Sequence, residues 1–232
     1  MCGRYAASND LAEISSEFAI EQVLAGLPEP RYNIAPTLPI AVVLDLKSKR
    51  SLDVMSWGLV PNWAESGEIN SNLINARIET IVSKPSFRDA VRYRRCVIPA
   101  SGWFEWQTTL KSVGKKQPYY FQPESGRLLA FAGIYEIWQG HLKTAAIITT
   151  DANSSVAPIH DRMPVLLSKE NIAHWLDEQN TDSGLAVAQL TDRTEIKLKS
   201  FPVTTDLNNV RNQGVHLLQP VSTPATQPTL FG

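Results

Sequence analysis

The sequence predicts an α+β domain with a curved, barrel-like β core and flanking helices. Apolar runs of strand length recur between residues 40 and 150, and turn-forming residues separate them. Helical periodicity is restricted to three short segments, at residues 9–25, 84–92 and 169–178. A chain of 232 residues, of which 43% are hydrophobic, is long enough to bury such a core.

The first predicted element is a helix over residues 9–25. Ser8 or Asn9 can cap its amino end, and apolar side chains recur along it at helical spacing. A proline-rich turn at residues 27–30 follows, because proline cannot continue a helix.

The middle of the chain predicts a strand pair and a second helix. Residues 40–46 and 54–59 are apolar runs of strand length that pair with each other. Residues 61–72 contain Pro, Gly and Asn and predict a loop. Ser83 precedes the helical segment at residues 84–92.

The second half of the chain predicts most of the sheet. Ser168 can cap the third helix, which is predicted over residues 169–178. Residues 1–221 are predicted to form one domain. Residues 222–232 are rich in Ser, Thr, Pro and Gln and predict a flexible tail. Further strands are predicted at residues 96–98, 102–106, 119–122, 128–134, 145–150 and 194–201.

The charge and the cysteine content limit the classes of protein to which the chain can belong. The net charge of −1 excludes a protein that coats nucleic acid by bulk charge, although a local basic groove stays open. Residues 77–95 carry six basic and two acidic side chains, a net +4, and a solvated helix face is the ordinary reading of such a run. No apolar stretch is long enough for a membrane helix and no signal peptide is expected. Two cysteines predict no disulfide framework, so a cytoplasmic protein is expected, with Cys96 as a buried structural thiol.

Cys2 is the most reactive group that the sequence offers. Methionine is usually removed before a small residue, so we expect Cys2 to begin the mature chain with a free α-amine and a free thiol. Such a 1,2-aminothiol condenses with an aldehyde to an imine, which the thiol closes to a thiazolidine. The amine titrates near pH ~8 and the thiol near ~8.5, so both are partly reactive at neutral pH. The alternative is that Cys2 is an arbitrary second residue.

Three further segments place polar groups where a core would not need them. Asn75 and Arg77 share one face if their segment is a strand. Glu105 lies among aromatic residues, which raises the pKa of a carboxyl and suits a general acid or base. His160 stands beside an acid and near a base. The alternatives are a structural carboxylate for Glu105, which pairs with an arginine, and a hydrogen-bonded core histidine for His160.

These segments together resemble the SRAP family of abasic-site processing proteins, once classed as SOS-response-associated peptidases. The resemblance is ordered and spans Cys2 to about Val221, so it implies a single SRAP-like domain. It rests on Cys2-Gly3-Arg4-Tyr5, Arg31-Tyr32-Asn33-Ile34-Ala35-Pro36, Trp57-Gly58, Ile74-Asn75-Ala76-Arg77-Ile78-Glu79-Thr80, Gly102-Trp103-Phe104-Glu105-Trp106, Ile159-His160-Asp161-Arg162-Met163-Pro164 and Asn209-Val210-Arg211-Asn212-Gln213-Gly214.

The resemblance implies a sensor that crosslinks covalently to abasic sites in single-stranded DNA and shields them during replication-associated repair. The implied nucleophile is Cys2, and Asn75 orients its α-amine. Glu105 is implied to shuttle protons, and His160 to assist sugar ring opening or reversal of the crosslink.

The resemblance also implies a set of DNA contacts. Trp106 and Trp63 are implied to stack on bases, although the loop around Trp63 departs from the family pattern, which makes Trp63 the weaker of the two. Arg4 and Arg77 have an alternative role as intramolecular salt-bridge partners. The implied phosphate contacts are Arg4, Asn33, Arg77 and Arg162, with Thr149 and Thr150 as weaker contacts.

The remaining expectations concern cofactors and partners. No histidine has zinc-ligand spacing with the two cysteines, and no glycine-rich phosphate loop is present, so neither a metal nor a cofactor is expected. Gln227, Leu230 and Phe231 resemble the short peptide by which bacterial repair proteins dock on the sliding clamp; alternatively, the tail folds back on its own domain.

Two other functions stay open from the sequence. An amino-terminal cysteine also begins hydrolases that cleave themselves, so a peptidase, including one that removes Met1, is the second hypothesis. A non-covalent single-strand binding module is the third. A monomer is expected, because one covalent end per lesion needs no partner subunit.

Overall fold

The computed structural model describes residues 2–69, 71–107, 116–191 and 196–222. Within these ranges, two β-sheets carry most of the chain and the helices pack against them, which confirms the predicted α+β class with a curved β core. The helices are α1 (Leu11–Phe18), α2 (Arg88–Tyr93), α3 (Lys169–Leu176) and α4 (Ser183–Thr191). The strands are β1 (Tyr5–Ala7), β2 (Gln22–Val23), β3 (Arg31–Ile34), β4 (Pro39–Leu46), β5 (Lys49–Trp57), β6 (Asn75–Arg77), β7 (Arg95–Ala100), β8 (Gly102–Gln107), β9 (Gln117–Pro123), β10 (Leu129–Trp138), β11 (Leu142–Asp151), β12 (Arg162–Pro164) and β13 (Leu198–Pro202).

The larger sheet curls until its hydrogen bonds close a ring. Its strand order is β12-β11-β10-β7-β4-β5-β2, and β5 also pairs in parallel with β11. The ring therefore runs through β11, β10, β7, β4 and β5. The short strand β6 pairs in parallel with β11. In this pairing Asn75 lies opposite Ile147, and Arg77 lies opposite Thr149.

Alternation along the strands of the larger sheet supplies two separate cores. On β4, Ala41 and Val43 face a core that also contains the buried residues of α1, α3 and α4. Ile40, Val42 and Leu44 face the other way, toward a core that contains residues of the smaller sheet. Because successive strand residues point to opposite faces, one strand can serve both cores.

The smaller sheet has the order β13-β9-β8-β1-β3 and lies over the second of these cores. Tyr5 on β1 pairs with Trp103 on β8, and both side chains are buried. The opposite face of this sheet packs on Leu207 and Leu217, which lie in 3-10 turns near the carboxyl end. Cys2 is thereby placed between the two sheets, within the core that they share.

The first helix is shorter than predicted. It ends at Phe18 because Ala19 takes the left-handed conformation, with φ 53°, and residues 22–23 then join β5 as a parallel strand. The predicted caps, Ser8 and Asn9, are wrong, because Asp10 caps the helix. The side chain of Asp10 accepts from the amide of Glu13, and the side chain of Glu13 accepts from the amide of Asp10.

Other boundaries also differ from the prediction. The second strand of the β4–β5 pair begins at Lys49, because Lys47 and Ser48 form a turn with positive φ angles of 50° and 63°. Helix α2 begins at Arg88 rather than at residue 84, and α4 was not predicted. Strand β13 begins at Leu198 rather than at residue 194; residues 194–195 of the predicted strand lie outside the described ranges.

Among the described residues, none of the helices has the length and apolar character needed to cross a membrane. The same part of the chain contains no cluster of three His, Cys, Asp or Glu side chains that could hold a metal ion. Residues 223–232, which include the predicted clamp-binding residues Gln227, Leu230 and Phe231, lie outside the described ranges.

Candidate functional site

The four residues predicted to be catalytic come from four separate segments and meet between the two sheets. Cys2 precedes β1, Asn75 begins β6, Glu105 lies on β8, and His160 comes just before β12. Asn75 contacts Cys2, and Glu105 faces His160. The charge of Glu105 also acts on the thiol of Cys2, which joins the two pairs.

Asn75 holds the backbone of Cys2. Its Nδ2 donates to the carbonyl oxygen of Cys2 at 2.8 Å. Its Oδ1 is buried and has no hydrogen-bond partner among the described residues. Parallel pairing with β11 places Asn75 directly opposite Ile147, so the sheet fixes this amide. The sequence predicted a contact with the α-amine of Cys2; the contact present is with its carbonyl.

The side chain of Cys2 is fully buried. Burial is the main cause that raises the pKa of its thiol, and the negative charge of Glu105 raises it further. The thiol is therefore protonated at neutral pH, and it reacts as a nucleophile only if a nearby base accepts its proton.

The alternation of strand β8 explains the position of Glu105. Trp103 and Glu105 point to one face, and Phe104 points to the other, where it packs on the turns near the carboxyl end. Glu105 is 2% exposed, and burial raises its pKa to about 7. At neutral pH the carboxyl is thus poised between its protonated and ionised forms, which suits both donation and acceptance of a proton.

His160 faces Glu105 from the end of the loop that joins β11 to β12. Its Nε2 lies 3.7 Å from Oε2 of Glu105, so an approach of about 0.5 Å gives a hydrogen bond. Its Nδ1 lies 2.9 Å from the backbone nitrogen of Arg162 and 2.9 Å from Oδ1 of Asp161. Burial lowers the pKa of His160, which favours the neutral ring.

The two neighbours of Nδ1 require different protonation states. The amide of Arg162 is a donor, so Nδ1 accepts from it and the proton of the neutral ring is on Nε2. Asp161 needs a proton on Nδ1, but its side chain is 86% exposed, so water screens that contact. The neutral ring therefore presents an N–H to Glu105.

The guanidinium of Arg162 is held by acidic side chains. Its Nη1 donates to Glu79 at 2.8 Å and to Asp151 at 2.6 Å, and its Nη2 donates to Glu79 at 3.0 Å and to the carbonyl of Thr149 at 2.9 Å. The predicted phosphate contact of Arg162 stays a prediction; it requires a phosphate to replace one of these carboxylates.

Arg4 and Asn33 fasten the segment around residues 207–212 to the smaller sheet. Arg4 donates to Asn33 at 2.7 Å and to the carbonyl of Leu207 at 2.9 Å. Asn33 is fully buried, and its Nδ2 lies within 3.2 Å of the carbonyl oxygens of Leu207, Asn209 and Asn212. Arg4 is thus bound within the protein, but to uncharged oxygens and not to the acid that the salt-bridge alternative requires, and Asn33 is a buried support.

Trp106 completes this group from the outer face of β8. Its indole Nε1 donates to Oδ1 of Asn208 at 2.8 Å, and the guanidinium of Arg4 lies 5.6 Å from the ring centroid. Trp106 is partly exposed.

The other predicted DNA contacts differ in accessibility. Arg77 is exposed, and its side chain forms no hydrogen bond or ion pair with another described residue. Thr149 and Thr150 are buried, at 0% and 4% exposure. Trp63 is 61% exposed and lines a small pocket together with Pro85, and none of the four residues between the sheets lines that pocket.

Three residues at this site were missed by the sequence reasoning. Glu79 and Asp151 hold Arg162, and Asn208 accepts from Trp106. Glu79 could have been predicted, because it lies two residues after Arg77 in the segment of residues 74–80 that carries part of the family resemblance. Asp151 gave none, because its contact with Arg162 depends on the register between β11 and β12. Asn208 gave none, because Trp106 lies 102 positions away.

Comparison with known proteins adds a family match to this geometry. The family model for the SOS response associated peptidases (SRAP) matches residues 1–210. A crystal structure of a protein from Bacteroides thetaiotaomicron has a TM-score of 0.80 at 25% identity, and the match covers 95% of this chain and 100% of that one.

Curated relatives match over nearly the whole chain. The abasic site processing protein YoqW of Bacillus subtilis (strain 168) is 37% identical over 224 residues, 94% of this chain and 99% of YoqW. The abasic site processing protein YedK of Escherichia coli (strain K12) is 32% identical over 231 residues, 95% of this chain and 100% of YedK. The abasic site processing protein HMCES of Gallus gallus is 32% identical over 267 residues, 95% of this chain and 78% of HMCES.

Proposed function

Because the chain belongs to the SRAP family, we propose that it processes abasic sites in DNA by a covalent bond through Cys2. The bond is a thiazolidine with the aldehyde of an abasic site in single-stranded DNA, and it shields the lesion during replication-associated repair. The observation that carries the proposal is the meeting of Cys2, Asn75, Glu105 and His160 between the sheets.

The chemistry begins with the amine of Cys2, once Met1 has been removed. The amine adds to the aldehyde carbon of the ring-opened sugar, and the resulting carbinolamine loses water to give an imine. The thiol sulfur then adds to the imine carbon and its proton passes to the nitrogen, which closes the five-membered ring. One molecule of water leaves overall, and nothing is oxidised or reduced.

Glu105 suits both proton transfers in this sequence. With a pKa of about 7, its protonated form can give a proton to the departing hydroxyl group. The resulting carboxylate can then accept the thiol proton, which the raised pKa of Cys2 would otherwise retain. His160 faces the same carboxyl, and we assign it to sugar ring opening and to reversal of the crosslink.

Asn75 suits the orientation of the nucleophile. Its Nδ2 fixes the carbonyl of Cys2, and its Oδ1 is open to accept a hydrogen from the α-amine. An amine held in this way has a fixed orientation of its lone pair, which lowers the entropic cost of its attack on the aldehyde carbon.

The DNA path is proposed to follow the cations and the accessible indole beside the site. Arg77 offers an exposed guanidinium, and Arg4 lies against Trp106. Phosphate contacts position the strand, and stacking on Trp106 tolerates any base. The proposed DNA contacts also include Arg162, Thr149, Thr150, Asn33 and Trp63. Asn33 would act through Arg4, to which it is hydrogen-bonded.

The proposal is tested with a single-stranded oligonucleotide that carries one abasic site. Protein whose amino terminus has been checked by mass is mixed with it and run on a denaturing gel. We expect a shifted band that forms without borohydride and is lost in Cys2→Ala. The matched control is Cys96→Ala, since both thiols are buried but Cys96 lies on β7. No band from a chain that begins with Cys2 would rule out the crosslink.

The same preparation separates the two alternatives. Cleavage of an unrelated peptide that requires Cys2 would indicate a peptidase. Lesion binding that Cys2→Ala retains, with no bond that survives denaturation, would indicate a non-covalent binding module.

We also propose that residues 222–232 form a tail beyond the domain of residues 1–221, and that Gln227, Leu230 and Phe231 dock on the replication sliding clamp. Two adjacent apolar anchors and one amide on a polar tail support this. Removal of the last six residues is expected to abolish clamp binding and to leave crosslinking unchanged. Clamp binding that survives the deletion would overturn the assignment.

A further inference from the structure

We propose that Glu79 is a positioning residue that acts through Arg162 to set the tautomer and direction of His160. The inference deepens the proposed function, on which its part in DNA capture rests. Glu79 touches none of the four residues proposed to react; it contacts Arg162, whose backbone contacts His160.

The pair of Glu79 and Arg162 has the geometry of a strong contact. Two guanidinium nitrogens meet two carboxylate oxygens at 2.8 and 3.0 Å, which is the bidentate arrangement that fixes orientation as well as distance. The Arg162 side chain is 9% exposed, whereas Glu79 is 44% exposed, so the pair lies at the rim of the site.

Two further bonds turn this pair into a clamp on the start of β12. Asp151, the register partner of Arg162, contacts Nη1, and the carbonyl of Thr149 accepts from Nη2. Both partners lie on β11, so they hold the guanidinium to the ring of the larger sheet. Glu79 is the third group that holds the guanidinium, and it comes from the segment that follows β6.

The clamp reaches His160 through the main chain. The amide of Arg162 donates to Nδ1 of His160 at 2.9 Å, and this bond leaves the ring proton on Nε2, toward Glu105. Asp161 competes for the same nitrogen and favours a proton on Nδ1. A fixed Arg162 therefore favours the tautomer that serves Glu105.

A simpler role for Glu79 makes a different prediction. As an acid near the DNA path, it would only repel phosphate, and its neutralisation would tighten DNA binding and speed capture. A positioning role predicts slower capture, and the change would depend on His160.

The first test is spectroscopic and needs no DNA. Chains labelled with ¹⁵N at histidine report which ring nitrogen carries the proton, and His160→Gln assigns the signal of His160 among the four histidines. We expect the Nε2–H tautomer in the wild type and in the control Glu65→Gln, an exposed acid on another loop. Glu79→Gln is expected to show a mixture of tautomers; an unchanged His160 signal would overturn the proposal.

The second test is a double-mutant cycle on the rate of crosslinking. Glu79→Gln is expected to slow capture about fivefold, the equivalent of one hydrogen bond, and to have no further effect in a His160→Gln chain. An equal effect in both backgrounds, or faster capture, would contradict the positioning role. If the wild type forms no crosslink, the proposed function fails, whereas the tautomer measurement still decides the role of Glu79.

Discussion

The side-chain amide of Asn75 donates to the carbonyl oxygen of Cys2 at 2.8 Å, across a separation of 73 positions in the chain. Parallel pairing of β6 with β11 makes this contact possible, because it fixes Asn75 at the point where the two sheets meet. The backbone of Cys2 is thus held by a strand of only three residues.

Replacement of Asn75 by Ala is expected to slow crosslinking about fivefold or more, because loss of one hydrogen bond costs about 1 kcal/mol. Single-turnover rates on an abasic single strand measure the effect. Asn62→Ala, at an exposed asparagine, is the control and is expected to react at the wild-type rate. Equal rates for the two variants would remove Asn75 from the mechanism.

The stability of the protein is expected to depend on the protonation of Glu105. Because burial raises its pKa from 4.5 to about 7, the folded chain binds this proton more tightly than the unfolded chain does. The resulting stability is complete below pH 4.5 and is lost as the pH rises through about 7. The shift in the pKa of Glu105 corresponds to about 3 kcal/mol of unfolding free energy. The wild type is expected to lose this amount as the pH rises, and Glu105→Gln is not.

Urea unfolding at a series of pH values measures this difference. Cys2, His160 and Asp161 also face Glu105 or its partner, and comparison with Glu105→Gln subtracts their own titration to a first approximation. Parallel curves for the two proteins between pH 4 and 9 would show that Glu105 is not perturbed.

Asn33→Ala is expected to destabilise the fold by about 3 kcal/mol, because it removes the amide donor to the carbonyls of residues 207, 209 and 212 and the oxygen that accepts from Arg4. Denaturant unfolding measures the loss, and hydrogen exchange is expected to rise across residues 205–214. The control is Asn208→Ala, which removes only the more exposed bond to Trp106. A loss no larger than that of the control would mean that Asn33 does not anchor this segment.

Arg77→Ala is expected to weaken binding to single-stranded DNA without changing the melting temperature, because its side chain is exposed and unpaired among the described residues. Loss of one phosphate contact is expected to lower the slope of log Kd against log salt concentration by about 0.7. Lys49→Ala serves as the control, since Lys49 begins β5 at the end opposite Trp57. An unchanged salt slope would exclude Arg77 from the DNA path.

The sequence predicted best the parts that depend on local pattern. The strand predicted at residues 102–106 is observed as Gly102–Gln107, because aromatic and alternating residues favour a strand and fix which side Glu105 faces. Helix α4 was missed because Gly184 disfavours a helix and because residues 185–188 form an unbroken apolar run, which shows no helical spacing. The length of α1 was overestimated, since apolar spacing continues past the left-handed turn at Ala19.

The contacts within the site depend on distant segments, and their detail could not be predicted. The family resemblance implied DNA contacts for Asn33 and Arg162, whereas in the structure both side chains bind other parts of the chain. Their partners lie 179 and 83 positions away, a separation at which periodicity carries no information.

The bond between Arg4 and Leu207 spans 203 positions and has a consequence for protein synthesis. The ribosome makes the first strand about 200 residues before it makes Leu207, so the strand is exposed without this anchor during most of that synthesis. The segment around Cys2 therefore reaches its final position only after the segment around residue 207 has been translated. A product that terminates before Leu207 lacks this anchor, and we expect it not to assemble the site between the sheets.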